Sequence, residues 1–215
     1  MNDTSPVWIF DLDDTLHNTS AQIFPLIDAA MTDYVARELR VDAIEADRLR
    51  RVYWQRYGAT MLGLVRHHGC DPHHFLHHTH QIPALHEKLV FDRAVRGLFR
   101  RLPGRKVVCS NGPRAYVDAV LDCMRIGHCF EEVFGIEQLR LAPKPHLAAF
   151  RRVLSHIGHP AAHCVMVEDS ATNLRAAKTL GMRTVWISRH PGKPAWVDVK
   201  LASVVGLPRA LSRLG

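Results

Sequence analysis

The chain has 215 residues, a formal charge of +7 with histidine neutral, and a hydrophobic share of 47%. That share is too high for a disordered chain and is enough for one large domain, or a core domain carrying a smaller insertion. No apolar run approaches the roughly 18 residues that span a bilayer, and no basic stretch with an apolar run opens the chain, so the reading is a soluble, cytoplasmic protein with no membrane partner.

The first predicted element is a buried strand at Val7 to Asp11, an apolar run that ends in three carboxylates, Asp11, Asp13 and Asp14. From Thr19 to about His80 the periodicity is helical, with Ile23, Leu26, Ile27, Ala30, Met31, Tyr34 and Val35 along one stripe. Gly58, Gly63, Gly69 and the pair Asp71-Pro72 divide this stretch into several short helices. A helix from about Phe91 to Arg101 follows, ended by Pro103-Gly104.

Strand and helix then alternate. "KVVCS" (106–110), "EVFGI" (132–136), "HCVMVEDS" (163–170) and "RTVWIS" (183–188) read as strands. "PRAYVDAVLDCM" (113–124), "KPHLAAFRRVLSHIG" (144–158) and "ATNLRAAKTLG" (171–181) read as helices, with Pro113 in a first turn and Gly181 at a C-cap. Such alternation with short turns predicts an α/β fold, a doubly wound parallel sheet. The all-helical stretch interrupts it right after the first strand. The predicted organisation is therefore a core of 1–16 and 86–215 with an inserted helical domain at 17–85.

Cys70, Cys109, Cys123, Cys129 and Cys164 form no C-x-x-C pair, and their odd number argues for reduced, mostly buried thiols. The arginines are spread along the chain, so a nucleic-acid partner is not expected. Segment 67–80, "HHGCDPHHFLHHTH", has seven histidines. The pairs His73/His77 and His74/His78 could hold zinc or copper on a helix, but a histidine-rich helical surface is the plainer reading.

In an open parallel sheet, ligands bind beyond the carboxyl ends of the strands. Three predicted strand ends carry polar groups: Asp11-Leu12-Asp13, Ser110-Asn111-Gly112 and Glu168-Asp169-Ser170, with Lys144 placed before a helix. The carboxylates explain one another if a hard divalent cation such as Mg2+ binds among them, with Asp11 and Asp169 as ligands and the Asp13 carbonyl as a third. A strand end would hold Asp11 rigidly enough to attack a phosphorus atom, and Asp13 is near enough to handle a proton. Ser110, the N–H groups around Asn111 and Gly112, and Lys144 would hold phosphate oxygens.

"DLDDTL", "SNG", "KP" and "VEDSATN", in this order and spacing, resemble the four motifs of the haloacid dehalogenase (HAD) superfamily. The resemblance implies a Rossmann-like core and Mg2+-dependent phosphotransfer through an aspartyl-phosphate. It casts Asp11 as nucleophile, Asp13 as general acid/base, Ser110 and Lys144 as phosphate binders, and Asp169 as metal ligand. It gives Asn173 a supporting place beside Glu168, and makes the helical insertion similar to a type I cap of subfamily IA. "DLDDTLHNTS", "YGATMLGL", "CSNGPRAYVDAVLDCMRI", "PKPHLAAF" and "VEDSATNLRAAKTLGMRTVWIS" look more narrowly like the pyrimidine 5′-nucleotidase branch. That branch often has tyrosine at the place of His17 and two aspartates at the place of Glu168-Asp169. His17, Asn18, Tyr57 and Met61 are the candidate substrate contacts on the cap side, and Arg114 and Tyr116 could reach the pocket from the core.

The resemblance implies a phosphomonoesterase acting on a small phosphorylated metabolite, foremost a pyrimidine nucleoside 5′-monophosphate, as a monomer or homodimer. The alternatives are a sugar-phosphate phosphatase, a phosphomutase and a haloacid dehalogenase. A non-catalytic protein on this fold would be expected to lack a motif residue, and none is missing.

Overall fold

A computed structural model describes residues 5–214. The chain divides into two compact units, one formed by the segments up to Asn18 and from Leu89 onward, the other by Thr19–Lys88.

The first unit is built on six parallel strands, β1 (Val7–Phe10), β2 (Lys106–Cys109), β3 (Glu132–Phe134), β4 (Cys164–Glu168), β5 (Arg183–Ile187) and β6 (Val199–Leu201). Their order is β3-β2-β1-β4-β5-β6. All four residues of β1 are buried, as expected for a central strand of a parallel sheet covered on both faces. One face carries Val7, Ile9, Val107 and Met166, packed in a single core with Phe150 and Val153 of helix 147–157 and Leu174 and Ala177 of helix 171–179. On the other face Phe10 meets Phe99 edge-on at 5.4 Å and Phe130 at 6.0 Å. The Trp8 indole is satisfied by the Pro103 carbonyl at 2.8 Å.

The chain runs outward from β1 to β2 and β3, then returns to the other side of β1 as β4. The β1/β4 boundary is the point where the strand order reverses, the usual ligand crevice of an open α/β sheet. In register, Phe10 faces Val167, so the residues that follow them emerge side by side.

The second unit is helical: α1 (Ile23–Leu39), α2 (Ala43–Tyr57), α3 (Thr60–His68), α4 (Pro72–Thr79) and the single turn α5 (Leu85–Lys88). Asp42 caps α2 by accepting the Glu45 N–H, Gly58 ends it at φ 81°, and Gly69 ends α3 at φ 66°. Asp71 caps α4 by accepting the His73 N–H, with Pro72 in the first turn. Gly63 differs from the reading above: it is inside α3, not at a break. A Cβ there would collide with the Tyr53 ring of α2, so this glycine lets two helices approach. In the α1 stripe Ile23, Ile27, Tyr34 and Val35 are buried, whereas Leu26 is exposed.

The remaining helices belong to the first unit: α6 (Val95–Leu98), α7 (Arg114–Met124), α8 (Leu147–Ile157) and α9 (Ala171–Thr179). The expected helix at 91–101 is shorter, because Asp92 accepts the Ala94 N–H in a turn and a 3-10 segment takes over at Phe99–Arg101. α8 starts two residues beyond Pro145, and Pro113 is the N-cap residue of α7. Leu180 is the C-cap of α9, with Gly181 next at φ 88°. β6 and the 3-10 run Val204–Arg213 had no counterpart in the sequence reading. All five cysteines are free; Cys70, Cys109 and Cys164 are buried. Among the described residues, no helix is long and apolar enough to cross a membrane.

Candidate active site

Asp11 follows β1 directly, and its N–H continues the ladder by donating to the Val167 carbonyl at 2.9 Å. The residue is 6% exposed. Oδ1 accepts from Lys144 Nζ at 2.6 Å and Oδ2 from the Thr15 hydroxyl at 3.1 Å. Lys144, equally buried, donates also to Glu168 Oε2 at 2.8 Å. Glu168 ends β4; its Oε1 accepts the Ser170 N–H at 3.1 Å, and its Oε2 the Asn173 amide at 3.1 Å. One carboxylate oxygen from each of Asp11, Glu168 and Asp169 lies within 4.8 Å of the others.

Three clustered carboxylates thus share one ammonium. Burial first, then the Glu168 charge, pushes Asp11 up to about 8 against the pull of Lys144. Burial and a hydrogen bond with Glu168 push Asp169 up to about 9. Burial also opposes the charge on Glu168, but Lys144 together with hydrogen bonds from Asp169 and the Ser170 N–H outweighs it and holds that carboxyl below its ordinary value. For Lys144 burial is outweighed by Asp11 and Glu168, which keep it protonated well above the usual lysine range. The crowding of three carboxyl groups, two of which keep their protons without a counter-ion, and the all-oxygen donor set fit a hard divalent cation such as Mg2+, which Asp11, Glu168 and Asp169 could hold. Glu168, given only a supporting place in the sequence reading, adds a side-chain oxygen to this cluster.

The Asp13 side chain has other partners. Its Oδ1 accepts the Tyr116 hydroxyl at 2.7 Å and lies 3.2 Å from His17 Nε2. Leu12 O accepts the N–H groups of Thr15 and Leu16, and Asp14 adopts φ 56°, so the chain curls tightly past Asp11.

Ser110, fully buried, follows β2 and donates its N–H to Phe134 O at 2.9 Å. Its hydroxyl oxygen accepts the Gly112 N–H at 3.0 Å, which leaves the hydroxyl hydrogen as a donor. The Asn111 side chain is engaged on the main chain of Lys144, donating to its carbonyl at 3.0 Å and accepting its N–H at 2.8 Å. It positions the lysine and is not offered to a phosphate. At Gly112 a Cβ would come within 2.9 Å of the Tyr116 ring and 3.3 Å of Ser110 Oγ, so a larger residue would crowd both.

His17 is buried against Asp13, and Asn18 is exposed with its N–H on Val90 O at 2.7 Å, where the chain leaves and re-enters the first unit. Tyr57 and Met61 belong to the helical unit; the Tyr57 hydroxyl is 2.5 Å from His67 Nε2, and Met61 is buried. Arg114 is tied elsewhere, to both oxygens of Asp118 at 2.8 and 2.7 Å and to Val133 O at 2.9 Å.

A family model of haloacid dehalogenase-like hydrolases matches residues 7–181. The chain belongs to this family. Among its relatives, a phosphoglycolate phosphatase of Pseudomonas fluorescens is 28% identical over 151 residues, covering 69% of this chain and 46% of that protein. The chain spans about half the length of the curated relatives it matches. Among solved structures, a HAD phosphatase from Thermococcus onnurineus superposes with TM-score 0.68 at 21% identity, over 96% of this chain and 97% of that one. An L-2-haloacid dehalogenase from Xanthobacter autotrophicus superposes with TM-score 0.62 at 14% identity, over 97% and 98%. At these identities the likeness shows the fold, and a HAD fold serves phosphate esters and haloacids alike.

One group, Thr15, escaped the sequence reading of this HAD hydrolase, and for Asn111 that reading gave the main-chain N–H but not the side-chain contact. Thr15 reaches Asp11, and its signal was only a hydroxyl four residues after the strand end. Asn111 fixes Lys144 across 33 positions, and no local pattern announces such a contact.

Proposed function

We propose that this protein is a Mg2+-dependent phosphomonoesterase that works through an aspartyl-phosphate on Asp11. The observation that carries this reading is the buried Asp11–Lys144–Glu168 chain beside Asp169, with Asp13 held next to it by Tyr116. Mg2+ would be held by Asp11, Glu168 and Asp169, with the Asp13 carbonyl as a further oxygen, and when bound it supplies charge stabilisation at the phosphoryl group.

In this reading an Asp11 oxygen attacks the phosphorus and the bond to the leaving oxygen breaks. Asp13 gives that oxygen its proton, then takes a proton from the water that attacks phosphorus and frees Asp11. The Lys144 ammonium, the Ser110 hydroxyl and the main-chain N–H of Asn111 hold the transferring oxygens as charge develops, and the Gly112 N–H fixes the Ser110 oxygen. Asn173 orients Glu168, and Asn111 orients Lys144. A dehalogenase forms no alkoxide that needs an acid, so a positioned Asp13 supports phosphate ester hydrolysis.

The leaving group is proposed on sequence grounds. The resemblance of "DLDDTLHNTS" and "YGATMLGL" to pyrimidine nucleotidases supports UMP and CMP, and assigns the helical unit the part of a cap that reads the leaving group. A second reading, a small phosphorylated acid or sugar phosphate, is supported by the relatives named phosphoglycolate phosphatase. The deciding experiment is a phosphate-release screen over UMP, CMP, AMP, 2-phosphoglycolate and sugar phosphates with Mg2+. Highest kcat/KM for UMP and CMP supports the first reading, and preference for 2-phosphoglycolate or a sugar phosphate replaces it with the second. Halide release from 2-chloropropionate with no phosphate release from any ester removes both. Asp11→Asn should abolish turnover with the fold retained in circular dichroism; residual activity above a trace would contradict the covalent route.

A further inference from the structure

Outside the core unit, the densest group of metal-ligating side chains is the histidine cluster of α3 and α4. Its members are not equivalent. His67 Nε2 is engaged by the Tyr57 hydroxyl, His68 Nε2 by the Tyr53 hydroxyl at 2.7 Å, and His77 Nε2 by the Gln81 amide at 2.7 Å. His74 is held by its other nitrogen: Nδ1 lies 2.9 Å from the Tyr34 hydroxyl. That leaves its Nε2 for a ligand.

His78 is four residues further on, the helical spacing that stacks two side chains on one face. The two rings are 4.3 Å apart between centroids at 62°, the tightest ring pair of the cluster. Both are exposed on α4. The support beneath them is rigid. Tyr34 is 1% exposed and packs edge-on against Phe75 at 5.1 Å.

We propose that His74 and His78 form a two-imidazole site for a borderline divalent transition ion, Cu2+, Ni2+ or Zn2+, with water completing the coordination. Imidazole nitrogen selects these ions, whereas Mg2+ takes oxygen. Metal–nitrogen bonds of about 2.0–2.1 Å are of the scale that two rings with centroids 4.3 Å apart can share. Tyr34 serves as the outer partner that metal-bound histidines usually have: with Nδ1–H donated to its oxygen, Nε2 carries the lone pair. Desolvation, then the neighbouring His74 and His77, lowers the His78 pKa, which favours the neutral ligand form. Arg37, stacked over Tyr34 at 5.8 Å, opposes a cation, and Glu38 offsets part of this.

The test is a Cu2+ titration of the full-length, EDTA-treated and dialysed protein in excess Mg2+, followed by calorimetry and by electron paramagnetic resonance. The expected result is one tight equivalent with nitrogen hyperfine structure. His74→Ala and His78→Ala should each weaken it at least about 10-fold, and Tyr34→Phe by about 10-fold through the outer partner. His73→Ala should leave it unchanged. Alanine favours the helix at these exposed positions, so the variants keep α4, and circular dichroism checks this. A Cu2+ affinity unchanged by His74→Ala or His78→Ala, a loss of equal size in His73→Ala, or an oxygen-only spectrum would overturn the proposal.

Discussion

At the scale of single residues, one oxygen decides how Asp13 presents itself. The Tyr116 hydroxyl and the His17 ring both meet its Oδ1, so the carboxyl plane is set from two sides. Tyr116→Phe removes one hydrogen bond to a charged group, about 1.5–3 kcal/mol and hence about 10-fold or more in rate. The loss should fall on kcat for an alkyl phosphate and be smaller for p-nitrophenyl phosphate, whose leaving group needs little protonation. Asp13→Asn should follow the same pattern at about 10²–10⁴-fold, the usual scale of acid–base catalysis. Parallel steady-state kinetics on the two substrates is the check, and equal losses on both would mean that Tyr116 and Asp13 do not serve the leaving oxygen.

At the scale of elements, two close approaches hold the packing. α2 and α3 meet where Gly63 faces the Tyr53 ring, with no room for a Cβ. Gly63→Ala gains helix propensity but forces the helices apart, and overpacking costs about 1–3 kcal/mol. A lower melting temperature is the expected outcome, and an unchanged or raised one would show that the helices yield. In the first unit, Asp198 joins α9 to β5, accepting from Lys178 Nζ at 2.6 and 2.8 Å and from the Thr184 N–H at 2.8 Å. Burial opposes its charge, but Lys178 and Thr184 outweigh burial and hold the carboxyl below 3.8. A depressed acid stabilises the fold above its unfolded value, and that contribution disappears as pH falls through the lower folded value. Asp198→Asn should therefore flatten the loss of stability below about pH 4, as read in acid denaturation curves.

At the scale of the whole molecule, the proposed metal site would couple Mg2+ binding to folding through the carboxylate cluster. Asp11 and Asp169 are raised to about 8 and about 9, so the metal-free fold retains protons that the unfolded chain releases near 3.8. Where the native state binds more protons, stability falls as pH rises, here between about pH 4 and pH 9. Glu168, held below its ordinary value, and Lys144, held above its own, add no slope in the middle of that window. Mg2+ should displace the retained protons, so the rise in melting temperature on adding it should be small near pH 5 and larger near pH 9. Calorimetry at both pH values checks this. In the same preparations EDTA should abolish phosphate release, and full activity after exhaustive chelation would give the cluster another purpose.

By itself the sequence determined the β/α alternation, because buried parallel strands read as short apolar runs and the intervening helices carry their own caps and periodicity. It also brought out Asp11, Ser110 and Glu168-Asp169 as polar groups at the ends of apolar runs, where a buried strand has no structural use for charge, and Lys144 as a lysine placed before a helix. β6 was not legible, since three residues with one buried side chain become a strand only by pairing with β5. Gly63 reads as a helix break until the Tyr53 ring is seen against it. The partners of the charged groups were likewise decided by the tertiary structure. Asn111 lies 33 positions from Lys144, and Tyr116 lies 103 from Asp13. Such contacts depend on the pairing of β1 with β2 across nearly half the chain and on the connection from β3 to β4, which juxtapose strand ends far apart in sequence, and no local pattern of residues encodes which side chains meet there.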